Sequence, residues 1–461
     1  MLRHRHVRSS VMAEPVAARR RPLVVAPLAR ALRWRAVWSW ESLWIVGILL
    51  VAGLAHGVNM FHFPYYETDE GTYMSQAWAV AEEGRLAPYT YWYDHAPLGW
   101  IQIALWTVLT GGFFAFGTAV ETGRVFMLVL QIASTLLVYR IGREVSGGIF
   151  AATVAALAFA LSAYGIYFHR RVLLDNIATF WMLLSIWLLV RDRLSLSQVW
   201  LSGLALGVSI LSKELTIFPV PALALLVSTR AAPPQRWLAT VGWTAIVGSV
   251  FSTYLLMAAL KGELFPTGTL LGGTSEHVSL IESLQYQMSR SRDGGVLDPE
   301  SGFWRMVEQW AAMEPLLVVG GTVGALVSAL SLPRQPTMGT IGVATFSLWA
   351  FLGRGGEIIG FYLIPLLPLL ALDVGLVAAL VTRRVDALLA RFRGVGRLLG
   401  RCQWSAENSA TRTATHGPCR AHWRLDRRSS AGSGVSKGCY CATQSRGLRW
   451  LGCVAVGRRV L

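Results

Sequence analysis

The residues with chemical potential lie in four short stretches. Tyr65-Tyr66-Glu67-Thr68-Asp69-Glu70-Gly71 carries paired acids just ahead of a helical pattern over 71–83. In that pattern Tyr73, Ala77 and Ala81, with Met74 and Trp78 beside them, form one apolar stripe, as on a helix lying along a membrane surface. A carboxylate at its start suits a general base for a hydroxyl. The plain alternative is that Asp69 caps the helix and Glu70 favours its positive end. Asp94-His95-Ala96-Pro97 closes the same loop and reads either as site groups or as a turn opened by Asp and followed by a Pro-started helix. In His169-Arg170-Arg171-Val172-Leu173-Leu174-Asp175, Asp175 sits inside an apolar run, where ionisable groups pair or line a cavity. Arg170 is placed to hold a phosphate, or both arginines snorkel, which is the reading for Arg171. Lys213-Glu214 interrupts another apolar run; Lys213 suits a point charge on a phosphate, or a pair with Glu214.

These groups must be positioned by membrane helices. Of 461 residues 54% are hydrophobic and 15% charged, below the roughly 25% charged of soluble domains. Eleven apolar segments fall between residues 42 and 381, and about 20 such residues cross a bilayer. The net charge of +16 is the sum of Arg-rich ends, +8 over residues 1–40 and +13 over 382–461, around a body of −5. Basic ends place both termini in the cytoplasm and argue against a nucleic-acid partner. Two cytoplasmic ends need an even number of spans. The segment 97–119, opened by Pro97 and rich in Gly, Trp and Phe, is therefore expected not to span, leaving ten. Loops 62–96 and 261–311 then share the outer face with Arg170–Asp175 and Lys213, and the short Arg-bearing loops face inward.

The domain reading is a basic cytoplasmic segment 1–40, a transmembrane body 41–385 and a basic tail 386–461 that holds all five cysteines. The tail reads equally as disordered or as an out-of-frame end, since a GC-rich gene in the wrong frame yields Arg, Gly, Ser, Ala and Cys, and the chain has 39 Arg against three Lys. The other frames of the coding DNA separate the two. No nucleotide-binding GxxxxGK[ST] loop, HExxH or nucleophile motif occurs.

Together these stretches resemble the polyprenyl-phosphate-sugar-dependent membrane glycosyltransferases of the GT-C fold, in the protein O-mannosyltransferase and aminoarabinose-transferase branch. Asp69-Glu70 is similar to the acidic pair after their first span, and Asp94-His95-Ala96-Pro97-Leu98-Gly99 resembles their His-Pro-Pro-Leu-Gly, with Ala96 in place of a proline. Arg170-Arg171-Val172-Leu173-Leu174-Asp175 resembles their Arg-x-Ile-Leu-Leu-Asp. The Gly-containing run ending at Lys213 and the stretch holding Tyr362, Pro365 and Pro368 are similar to later spans.

The resemblance covers about residues 40–385. It implies an all-α polytopic bundle of about ten transmembrane helices with outer-face juxtamembrane helices, in a bacterial-type cell membrane. It implies transfer of a mannose-like or other sugar from a polyprenyl-phosphate donor to a protein, lipid or glycan hydroxyl on the outer face, with inversion. Asp69 would be the general base and Glu70 its support. Arg170 and Lys213, with Arg290 or Arg292, would hold the leaving phosphate, and Asp94, His95 and Asp175 would orient the site. The resemblance names no obligatory cofactor and leaves divalent-metal dependence open. The competing reading is a lipid-linked-sugar translocator, or another multi-pass transporter, without transfer chemistry.

Overall fold

In the computed structural model the described residues are 39–86, 93–192, 194–270, 272, 277–289 and 294–412, the last 22 of these by their backbone only. Every element among them is helical. The chain divides into two compact units, Met1–Ala390 and Arg391–Leu461, and the site groups lie in the first.

Four helices are long and apolar enough to cross a membrane: α1 (Trp40–Gly57), α4 (Ala119–Ser146), the segment Pro233–Leu260 that contains α10 (Arg236–Leu260), and the segment Gly360–Ala390. Two bent pairs raise the number to six. One is α5 (Ile149–Ala160) with α6 (Ala163–His169), bent by 57°. The other is α12 (Gly302–Met313) with Leu316–Leu330, bent by 112° and containing a π-helical turn at Leu316–Gly321 before α13 (Thr322–Leu330). Pro315, with no N–H to donate, stands at the second bend. The apolar segment read over 312–332 is therefore the second arm of this bent pair, Leu316–Leu330, with its first two residues at the end of α12.

Shorter apolar helices fill the bundle: α3 (Leu98–Thr110), α7 (Leu174–Val190), α8 (Leu196–Ser212) and α14 (Pro336–Leu352). The segment read over 215–229 splits into a 3-10 turn, Glu214–Ile217, and α9 (Val220–Arg230), with Pro219 and Pro221 at the join. At 13 residues α3 rises about 20 Å, short of the roughly 30 Å hydrocarbon layer. It ends at Gly111 and Gly112, both with left-handed φ (99° and 114°) that favours glycine.

The outward faces of α1 and α10 carry Leu43, Trp44, Leu50 and Leu54, and Trp237, Leu238, Leu256 and Leu260, all exposed. Such stripes would be costly in water and suit lipid. The largest of three buried apolar clusters draws on α4, α7, α8, α14 and the start of the last helix, Leu367–Arg412.

Two glycines let the helix ends around the site converge. A Cβ on Gly99 would stand 2.7 Å from Leu174 Cδ2 and 3.2 Å from the Ser212 carbonyl oxygen, so α3, α7 and α8 meet there. A Cβ on Gly123 would stand 2.7 Å from both Met74 Sδ and Val172 Cγ2, so helix α2 (Thr68–Glu82) lies on α4 and on the 170–173 junction.

With the tail cysteines replaced by serine, Leu270→Cys, on a fully exposed residue of the second long loop, is expected to react with an impermeant maleimide on intact cells. Ala232→Cys, exposed at the Pro233-Pro234 turn, is expected to react only after the membrane is opened. Labelling of both from outside overturns the topology.

Candidate active site at one end of the helix bundle

Helix α2 starts three residues earlier than its sequence pattern suggests. Glu67, not Asp69, holds the N-cap position, and its N–H donates to Glu70 Oε2 at 3.4 Å. Asp69 therefore has no capping duty. Glu70 is fully buried against the fully buried Arg124 of α4. Arg124 Nε donates to Glu70 Oε1 at 3.1 Å and Nη2 to Oε2 at 2.7 Å, and the Val172 N–H donates to Oε1 at 2.9 Å. Arg124 Nη1 donates to the carbonyls of Met60 (2.7 Å) and Pro64 (3.0 Å). One forked ion pair thus ties the end of α1, the start of α2, α4 and the 172 junction. Glu70 is enclosed by this network.

Asp69, one residue earlier, is half-buried, and its carboxylate makes no hydrogen bond or ion pair among the described residues. Burial pushes its pKa above the usual carboxylate value. Lys213 and His95 pull it back down, while Glu67 and Asp94 add to the rise. A carboxylate of raised basicity and unpaired among the described residues is equipped to take a proton.

Beside it the other groups gather. Lys213, buried at the C-terminus of α8, donates to His95 Nε2 at 3.0 Å and faces Asp175 Oδ2 at 3.9 Å. Asp175, in the first turn of α7, is fully buried, and neither oxygen has a hydrogen-bond partner. The rings of Phe361 and Tyr362 lie 5.8 and 6.0 Å from Lys213 Nζ. His95 Nδ1 donates to Glu214 Oε2 at 3.2 Å, and the Ala96 N–H donates to Glu214 Oε1. Asp94 lies at the rim, where its Oδ1 accepts from Gln287 Nε2 at 2.6 Å. Among the described residues no three His, Cys, Asp or Glu side chains are grouped to hold a metal ion.

Five expected site residues, Asp69, Asp94, His95, Asp175 and Lys213, therefore come together. Arg170 does not join them. Its Nη2 donates to the carbonyls of Ala55 (2.8 Å) and Val58 (2.9 Å) and its Nη1 to that of Phe63 (3.1 Å), so it serves the C-terminus of α1. Arg171 donates to Glu67 and stacks on the Tyr167 ring. Arg290 and Arg292 lie outside the described residues.

Two functional residues escaped the sequence reading. Arg124 was hidden inside an apolar segment, where a lone arginine is itself a signal of a buried partner. Glu214 was read only as a pair for Lys213, but the extended backbone at Lys213 (φ −157°, ψ 120°) sends the two side chains to different partners.

No family model and no curated protein matches the chain. Solved structures do. ArnT from Cupriavidus metallidurans bound to undecaprenyl phosphate matches with TM-score 0.53 and 17% identity, over 75% of this chain and 60% of that one. Its apo form gives 0.51 and 17%, over 74% and 60%. The archaeal oligosaccharyltransferase AglB from Archaeoglobus fulgidus gives 0.48 and 13%, over 77% and 52%. At this identity the likeness to ArnT establishes the fold, and the chain spans about 60% of the length of ArnT.

If the Glu70–Arg124 pair fastens α2 to α4, Glu70→Leu or Arg124→Leu alone strands a buried charge and should cost about 3–5 kcal/mol. The double variant Glu70→Leu/Arg124→Leu should recover much of that loss. Thermal unfolding of the purified protein reads both; single variants as stable as the parent overturn the assignment.

Proposed function

We propose that this chain, an all-helical polytopic membrane bundle with the GT-C fold, transfers a sugar from a polyprenyl-phosphate-linked donor to a hydroxyl acceptor at the outer face of a bacterial-type cell membrane. The observation that carries this reading is the unpaired Asp69 carboxylate, raised in basicity by burial, in the field of a buried lysine that is itself held by His95 and Asp175. A base and a fixed cation within one outer-face cluster are what an inverting transfer with a phosphate leaving group needs. ArnT was solved with undecaprenyl phosphate, a lipid phosphate of the kind such a transfer releases.

In the proposed reaction the acceptor hydroxyl hydrogen-bonds to Asp69. Its oxygen attacks the anomeric carbon from the face opposite the phosphate, and its proton passes to the Asp69 carboxylate. The bond from the anomeric carbon to the phosphate oxygen breaks, and the electron pair leaves with the polyprenyl phosphate. Lys213 stabilises the charge that grows on that oxygen, and it does so best in a site partly screened from water. His95 takes one of the three ammonium N–H groups and Asp175 faces the ammonium at ion-pair distance, so a donor remains for the phosphate. Arg170 is spent on the α1 carbonyls and has no part in this step. A protein, lipid or glycan supplies the acceptor, and the comparisons favour none of these.

Asp69→Asn keeps the shape of the side chain and removes the base. It is expected to lower sugar transfer in membranes by roughly 100-fold or more. In the parent, the raised Asp69 pKa means that the carboxylate is protonated at a higher pH than an ordinary aspartate. The rate should therefore fall with acidification at a correspondingly higher pH. The residual rate of Asp69→Asn should lack that limb. Undiminished transfer by Asp69→Asn removes Asp69 as the base.

A further inference from the structure

Glu214 has no part in the reaction just described, yet it is wired to the lysine. Its two oxygens accept from successive residues of one loop, Oε1 from the Ala96 N–H and Oε2 from His95 Nδ1. On the other side of the imidazole, Nε2 lies 3.0 Å from Lys213 Nζ. An ammonium only donates, so Nε2 must carry the lone pair. A carboxylate that already accepts from Ala96 accepts again from Nδ1, so that nitrogen carries the proton. Asp94 Oδ2 lies 3.7 Å from Nε2, beyond hydrogen-bond reach, and does not compete. A protonated imidazolium would set two donors against each other at 3.0 Å. The geometry thus admits one state of the ring: neutral, with its proton on Nδ1.

We propose that Glu214 is a positioning residue that fixes His95 as the Nδ1–H tautomer, so that Nε2 holds the Lys213 ammonium where it meets a lipid-linked phosphate. This rests on the reading of Lys213 as the phosphate group's partner. Histidines that must present a bare nitrogen are oriented in this way, by a hydrogen bond to the other nitrogen. The side chain of Lys213 is otherwise held loosely. Its ion pair with Asp175 is long at 3.9 Å, and the aromatic rings, at 5.8 and 6.0 Å, offer only a non-directional attraction.

The substitution Glu214→Gln changes one atom and inverts the logic. The glutamine side chain still accepts the Ala96 N–H through its oxygen, but it then turns its NH2 toward Nδ1. The ring responds by moving its proton to Nε2, which opposes the ammonium and expels it.

Solid-state 15N NMR of the full chain in lipid bilayers tests this directly, with the His95 signals assigned by subtraction of a His95→Gln sample. The expected result is a protonated Nδ1 and a bare Nε2 in the parent and the reverse in Glu214→Gln. A parent ring that is protonated at Nε2, or doubly protonated, overturns the proposal whether or not the variant folds.

Binding of undecaprenyl phosphate by the purified protein supplies the second arm. Lys213→Ala and Glu214→Gln should each weaken it roughly tenfold, the worth of one charge-assisted hydrogen bond. Glu214→Gln placed on His95→Leu should add little, because the relay is already cut. If Lys213→Ala leaves binding unchanged, the phosphate reading fails while the tautomer assignment stands or falls by its own spectrum. If Lys213→Ala weakens binding and Glu214→Gln does not, the positioning role fails.

Discussion

The end of the bundle that carries the candidate site depends on one buried ion pair. Glu70 and Arg124 are both removed from solvent, and a pair taken out of water loses several kcal/mol of hydration per ion. The pair survives because almost every valence is used. The carboxylate accepts both guanidinium arms and the N–H of Val172, and the remaining arm of the guanidinium is shared between two carbonyls. Such an interaction adds little to stability compared with a well-packed apolar pair. It contributes geometry, since its partners come from the end of α1, the start of α2, α4 and the junction before α7. Asp69 is adjacent to Glu70 in the chain, so its place relative to α7 and α8 follows from that fastening.

Much of this was legible in the sequence, and what was legible shares a cause. Long apolar runs report burial in lipid by composition alone, and a Gly-terminated run reports where a helix ends. Acids, His95 and Lys213 clustered at the ends of such runs on one side, so topology was enough to bring them together. The illegible part was the choice of partner. Arg170 was a candidate phosphate group because nothing in a sequence shows the backbone carbonyls at the end of α1, which Ala55 and Val58 turn toward it. Glu70 and Asp69 are chemically near-identical neighbours. The rotation of α2, set by its capping residue Glu67, decides which enters the protein and which faces the site.

The breaks in the bundle also matter to the site. Phe361 and Tyr362 reach Lys213 because the chain enters the last membrane helix through a 3-10 turn, Gly360–Leu363, and not as continuous helix. Gly360 is required there: a Cβ would stand 2.8 Å from the Tyr164 hydroxyl. The bend between α5 and α6 places Tyr164 at that contact, and Glu314, just before the 112° bend, accepts the Ser162 hydroxyl at 2.8 Å and the Tyr164 N–H at 2.7 Å. A carboxylate from one broken element thus satisfies the exposed start of another, the need that any helix end buried in a membrane creates.

The electrostatics of the cluster explain how one lysine can serve a phosphate in acidic surroundings. Asp69, Asp94, Asp175 and Glu214 all stand near Lys213 or His95. A tight bond from any of them to the ammonium would neutralise it and leave nothing for a ligand. The structure avoids this. Glu214 is diverted to His95 and Ala96, Asp94 to Gln287, and Asp175 stays at 3.9 Å, close enough to keep the lysine charged and too far to consume a donor. The nearest partner is a neutral imidazole nitrogen, which holds the ammonium without cancelling its charge. In the proposed transfer this is the useful arrangement, because the cation's attraction is then greatest toward the charge that appears on the leaving phosphate and not toward groups that are charged throughout.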